Sequence, residues 1–186
     1  MTISSVKTGA VGLSLALDNN YMEPIATTLV GSGGTNNITF NDIPQTYKHL
    51  QIRYISRNAA VSDATGVRFN SDAGTKYALH SLRGGGSTVI ATSSANTTFF
   101  ELPFTAYSGT TSNVFGGGIL DILDYANTNK NKTARTLGGA DLDGSGSLHY
   151  SSGLWINTAA INSITIFGSG SNISQYSRFS LYGIKG

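Results

Sequence analysis

The chain has 186 residues, a length at which one domain with one core is the default. Charged residues make up only 12% and glycine fills 23 positions, so serine, threonine and asparagine must solvate most of the surface. A formal net charge of +2 with scattered Lys and Arg excludes the cationic stripe that nucleic acid requires, and the lack of cysteine excludes disulfides and thiolate metal sites.

Residues 1–26 read as an N-terminal arm, with Gly9, Gly12, Asn19, Asn20 and Pro24 interrupting short apolar pieces. Within it, Val11, Leu13, Leu15 and Leu17 alternate with Gly12, Ser14 and Ala16. That period of two suits a strand, added either to a neighbouring subunit's sheet for assembly or to an edge of the chain's own sheet. The apolar stretch 10–17 is far shorter than the ~20 residues of a membrane span. It also lacks a basic leader and a cleavage site, so neither a membrane anchor nor a signal peptide is expected.

Residues 27–186 predict an all-β domain, an antiparallel β-sandwich of about ten strands. Candidate segments are 27–30, 37–40, 49–56, 66–70, 77–82, 88–91, 98–102, 115–123, 133–137, 148–156, 163–167 and 178–184. Glycine-bearing clusters at 31–34, 72–74, 84–86, 143–146 and 168–170 supply the reversals between them. In 49–56, Leu50, Ile52 and Tyr54 alternate with Gln51 and Arg53, which marks the first set as core. The run from Ile119 to Tyr125 is apolar on both parities, as in a strand covered on two faces or lying in an interface. Asp121 within it needs a partner, and Arg53 or Arg135 could serve.

Catalytic patterns are missing. No serine has glycine at both flanking offsets of a nucleophile elbow, and His49, His80 and His149 fall in separate segments without metal-ligand spacing. Asp121 and Asp124 have opposite parity on one strand, so they do not converge as a glycosidase pair. Neither an enzyme nor a bound cofactor is expected. The stretch from Asp141 to Gly146 echoes the start of a calcium loop, yet position 12 is Ser152 rather than glutamate, and a hairpin turn is the simpler reading. Trp155 and Tyr107 could offer flat rings to a glycan, although Trp155 reads first as core.

Several phrases carry a resemblance. These are Ile38-Thr39-Phe40 with Ile43-Pro44, His49-Leu50-Gln51-Ile52-Arg53, and Phe69-Asn70-Ser71-Asp72 followed by Tyr77 and His80. Further on come Asp121-Ile122-Leu123-Asp124-Tyr125-Ala126-Asn127, Ser152-Gly153-Leu154-Trp155-Ile156-Asn157 and the closing Phe179-Ser180-Leu181-Tyr182-Gly183-Ile184-Lys185-Gly186. Together they resemble the small virion proteins of tailed bacteriophages known as tail fibre, head fibre or capsid decoration proteins, over residues 25 to 186. The resemblance implies a jelly-roll-like sandwich, commonly trimeric, on the particle surface. Its implied partners are sister copies and other virion proteins such as the major capsid protein, with host surface glycans the partner if it sits on a fibre. It brings no active-site residue.

Overall fold

The computed structural model describes residues 21–60, 65–103 and 106–186, and these form strands without helix. In chain order the strands are β1 (Met22–Leu29), β2 (Asn37–Phe40), β3 (His49–Asn58), β4 (Thr65–Phe69), β5 (Tyr77–Gly85), β6 (Thr88–Thr97) and β7 (Phe100–Glu101). They continue with β8 (Ala106–Tyr107), β9 (Gly116–Leu123), β10 (Lys132–Asp141), β11 (Gly146–Trp155), β12 (Ile164–Gly168) and β13 (Arg178–Ile184).

The pairings are nested. β4 pairs with β7, β3 with β9, β2 with β12 and β1 with β13, so the chain is one long antiparallel hairpin. Rolling that hairpin up sets β13 beside β3 and β12 beside β4. The result is two facing antiparallel sheets. The larger runs β1-β13-β3-β9-β10-β11-β5-β6, with β8 joined to β3 in parallel, and the smaller runs β2-β12-β4-β7. Two local hairpins, β5–β6 and β10–β11, extend the larger sheet alone.

Between the sheets lies the core. Leu50, Ile52, Leu120, Ile122, Phe179 and Leu181 from the larger sheet face Ile38, Phe40, Val67, Phe69, Ile164 and Ile166 from the smaller, all buried. Each such side chain contributes about 1.5–3 kcal/mol by leaving water. At one end Trp155 packs edge-on to Phe69 at 5.6 Å and stacks on Tyr77 at 6.3 Å between ring centres. Its indole N–H donates to Asp72 Oδ2 at 3.1 Å, which satisfies the one polar atom of that ring.

The all-β sandwich therefore forms as the alternation predicts, and strands 37–40 and 178–184 have the expected limits. Other limits differ. β1 begins at Met22, so the boundary expected between 26 and 27 falls inside a strand held by β13. β6 runs on to Thr97, because its serine and threonine residues keep strand geometry through pairing with β5 without any apolar pattern. The arm residues Val11, Leu13, Leu15 and Leu17 lie outside the described residues.

Candidate assembly surface

Apart from Trp155 at the end of β11, strands β10 and β11 place their large apolar residues on the side away from the core. On β11, Ser147, Ser151 and Gly153 are buried while Leu148, Tyr150 and Leu154 face outward. On β10, Ala134, Thr136 and Gly138 face in and Leu137 faces out. The reason lies in what fills the interior. The Phe100 ring occupies the volume a Cβ would need at Gly153, and the Tyr54 ring does the same at Gly118, with its hydroxyl also close over Gly138. Small residues must line this part of the inner face, so the leucines and tyrosine are not there to serve the core.

They form a patch. Ile119, Leu137, Tyr150, Leu82 and Ala91 stand directly opposite one another across β9, β10, β11, β5 and β6. Leu137 and Tyr150 are each 49% exposed and Leu82 is 52% exposed. The next row, Gly117, Gly139, Leu148, Gly84 and Val89, is flat and equally uncharged. A continuous apolar row of this kind marks an association face, whereas single exposed leucines do not. Beside it, at the hairpin ends, Gly84, Gly86, Gly117, Gly138, Gly139, Gly144 and Gly146 floor an open trough of about 640 Å³.

Polar residues border the patch. Asp121 takes a hydrogen bond from Gln51 Nε2 at 2.8 Å and an ion pair from Arg135 at 3.8 Å, and Arg53 reaches it only through Gln51, at 2.8 Å. Of the two arginines expected to serve Asp121, Arg135 is the direct partner. Arg53 instead rests over the Tyr182 ring at 5.7 Å. The strand from Ile119 to Leu123 buries Leu120 and Ile122 but leaves Ile119 and Leu123 half-exposed on the outer side. The chain itself thus covers only one of its apolar faces.

The glycan candidates do not come together. Trp155 is buried in the core and presents no ring face, because Phe69, Tyr77 and Asp72 enclose it. Tyr107 is half-buried beside Asn58, at the far end of β3 from His49, while Trp155 pairs with Lys132 near the His49 end of the sheet. Arg57 holds the loop after Tyr107 by donating to the carbonyls of Thr111 at 2.9 Å and Val114 at 2.7 Å.

Sequence reasoning missed a polar recess of about 260 Å³ under β5 and β6, lined by Ser81, Thr92, Ser93, Ser94, Glu101, His149 and Ser151. His149 shares a 2.9 Å hydrogen bond with Ser147, and burial, aided by Arg83, lowers its pKa. The signal was faint, since only tertiary pairing brings Glu101 beside β11. The segment from Asp141 to Gly146 is the β10–β11 turn, with Asp143, Gly144 and Gly146 at positive φ and Asp141 Oδ1 accepting from the Asp143 N–H at 2.9 Å. Among the described residues no group of three His, Asp or Glu side chains is placed to hold a metal.

His49 and Asp124 form a structural cluster at the base of β3. His49 Nδ1 accepts from the Asp124 N–H at 2.9 Å, and the Asp124 carboxylate pairs with Lys48 at 3.0 Å and with Lys130. Those two ammonium groups, Lys130 first, hold its carboxyl down at about 2.

Comparison of the chain with protein-family models, with curated proteins and with solved structures returned no match.

Proposed function

We propose that this chain is a structural subunit of a tailed-phage particle, a homo-oligomer of trimeric type that decorates and stabilises the capsid surface. The outward-facing apolar row through Leu137, Tyr150 and Leu82 carries this reading, because the interior has no use for those side chains and a covering partner does. Low charge supports it, since few ions must be desolvated when the face is buried. The nested strand pairing supports the jelly-roll-like sandwich that the sequence resemblance implies, two interleaved keys over eight strands. A decoration subunit binds the native shell and so raises its stability by mass action.

The test is reconstitution. Purified protein added to particles that lack it should raise the melting temperature of the shell, and the Leu82→Lys, Tyr150→Lys variant should not. Unchanged shell melting with the native protein would refute the decoration role.

One observation favours a second reading, a short tail-fibre or receptor-binding subunit. The recess lined by Ser81, Thr92, Ser93, Ser94, Glu101 and His149 offers a hydroxyl-rich ligand many partners, as a host glycan would need. Saturable binding on a glycan array, lost on Thr92→Trp, would support that reading over decoration.

A further inference from the structure

Among the described residues the two sheets have four edges, and three of them are protected. β2 has 4 residues and β7 has 2, too short to template another chain. β1 carries Pro24, a register break between Pro24 and Ala26, and Glu23 paired with Lys185 at 2.6 Å. β6 has none of these devices. It is 10 residues long, has neither charge nor proline, and is exposed on both faces from Thr88 to Asn96. Its irregularity is confined to the end near Thr97, which leaves Thr88 to Ser94 evenly paired with β5. An unguarded edge of this length normally provokes uncontrolled pairing. A specific occupant resolves that hazard.

We propose that the open edge of β6 receives the segment 11–17 of a neighbouring copy as an added strand. Complementarity is the first argument. Val11, Leu13, Leu15 and Leu17 alternate with Gly12, Ser14 and Ala16, so a paired strand would set its leucines beside Val89 and Ala91 and continue the apolar row across the sheet. Its small residues would lie beside Ile90 and Thr92 on the other face.

Reach is the second argument, and it decides which copy donates. Leu17 precedes Met22 by five Cα steps, a span of at most ~18 Å. Met22 lies on β1, at the opposite edge of the same sheet, and the path of eight strands from β1 to β6 contains seven spacings, roughly 34 Å. A chain cannot lay its own segment 11–17 on its own β6, so the donor is another molecule. Donor and acceptor surfaces differ, so reciprocal exchange would close the contact as a pair and cyclic exchange as a ring, and the trimer of the proposed function takes the cyclic form.

The inference rests on the homo-oligomeric part of the proposed function and on no particular particle. Its test uses two full-length variants, one with a blocked donor, Leu13→Lys with Leu15→Lys, and one with a blocked acceptor, Val89→Lys with Ala91→Lys. The substituted β6 positions are solvent-exposed, and each variant should keep the native circular dichroism spectrum and a cooperative melt, its midpoint lowered only by the loss of association. By light scattering after gel filtration, the native chain should be a trimer and each variant alone a monomer. An equimolar mixture should give a 1:1 heterodimer, because one native arm and one native edge remain. Trimers that persist in either variant overturn the donor–acceptor contact while leaving the homo-oligomeric reading in place, and a mixture that stays monomeric overturns the contact as well. A monomeric native chain removes the homo-oligomeric reading itself.

Discussion

Phe100 of the smaller sheet lies directly on Gly153 of the larger, so closely that a Cβ at position 153 would fall within the ring. Phe100 is 2% exposed and belongs to a strand of only two residues, so this contact is what fastens β7 over β11. Gly153→Ala should therefore cost about 2–3 kcal/mol by overpacking. Urea unfolding should show the loss, and Phe100→Leu in the same chain should recover part of it by shortening the intruding group. A Gly153→Ala protein as stable as the native one would contradict this packing.

Lys132 is buried, among the described residues no carboxylate pairs with it, and its ammonium donates to the carbonyls of Asn127 at 2.7 Å, Lys130 at 2.9 Å and Thr158 at 2.9 Å. Burial, then the nearby Lys130 charge, lowers its pKa, but three oriented carbonyls keep the site satisfied. Lys132→Met keeps the stem and strands the carbonyls, so it should cost about 2 kcal/mol, and Lys132→Ala more because a cavity is added. Equilibrium denaturation of both variants measures the difference.

Asp124 should govern part of the acid sensitivity. Its carboxyl is held at about 2 in the folded chain, against 3.8 when unfolded, so the stabilisation is complete above about pH 4 and is lost as pH falls through 2. Asp124→Asn retains the positive φ of 47° that asparagine tolerates, and removes the charge alone. The variant should be about 1 kcal/mol weaker at pH 7, as for a partly exposed ion-pair cluster. The gap between variant and native urea midpoints should narrow as pH falls towards 2 and close below it.

Trp155→Ala should remove about 3–5 kcal/mol, since it empties the space between Phe69 and Tyr77. Trp155→Phe keeps the stacking and loses the hydrogen bond to Asp72, which should cost about 2 kcal/mol. Thermal melting separates the two. Any loss of glycan binding in Trp155→Ala therefore reports unfolding rather than a missing sugar contact, and Thr92→Trp is the cleaner probe.

The sequence determined the class of fold. Alternation in His49–Asn58 and the glycine-bearing turns at 84–86 and 143–146 is local information, and the strand period turns it directly into faces and reversals. It also determined that Asp121 needed a partner, though not that Gln51 would relay Arg53. Only the tertiary structure decided which parity points inward on β10 and β11. Leu148, Tyr150 and Leu154 have the alternation of core residues, and the ring of Phe100, distant in sequence, fills the inner side of β11 at Gly153 and leaves them facing solvent. The guard state of each edge is likewise invisible in one dimension, because a strand is an edge only when the rest of the sheet has left it without a neighbour.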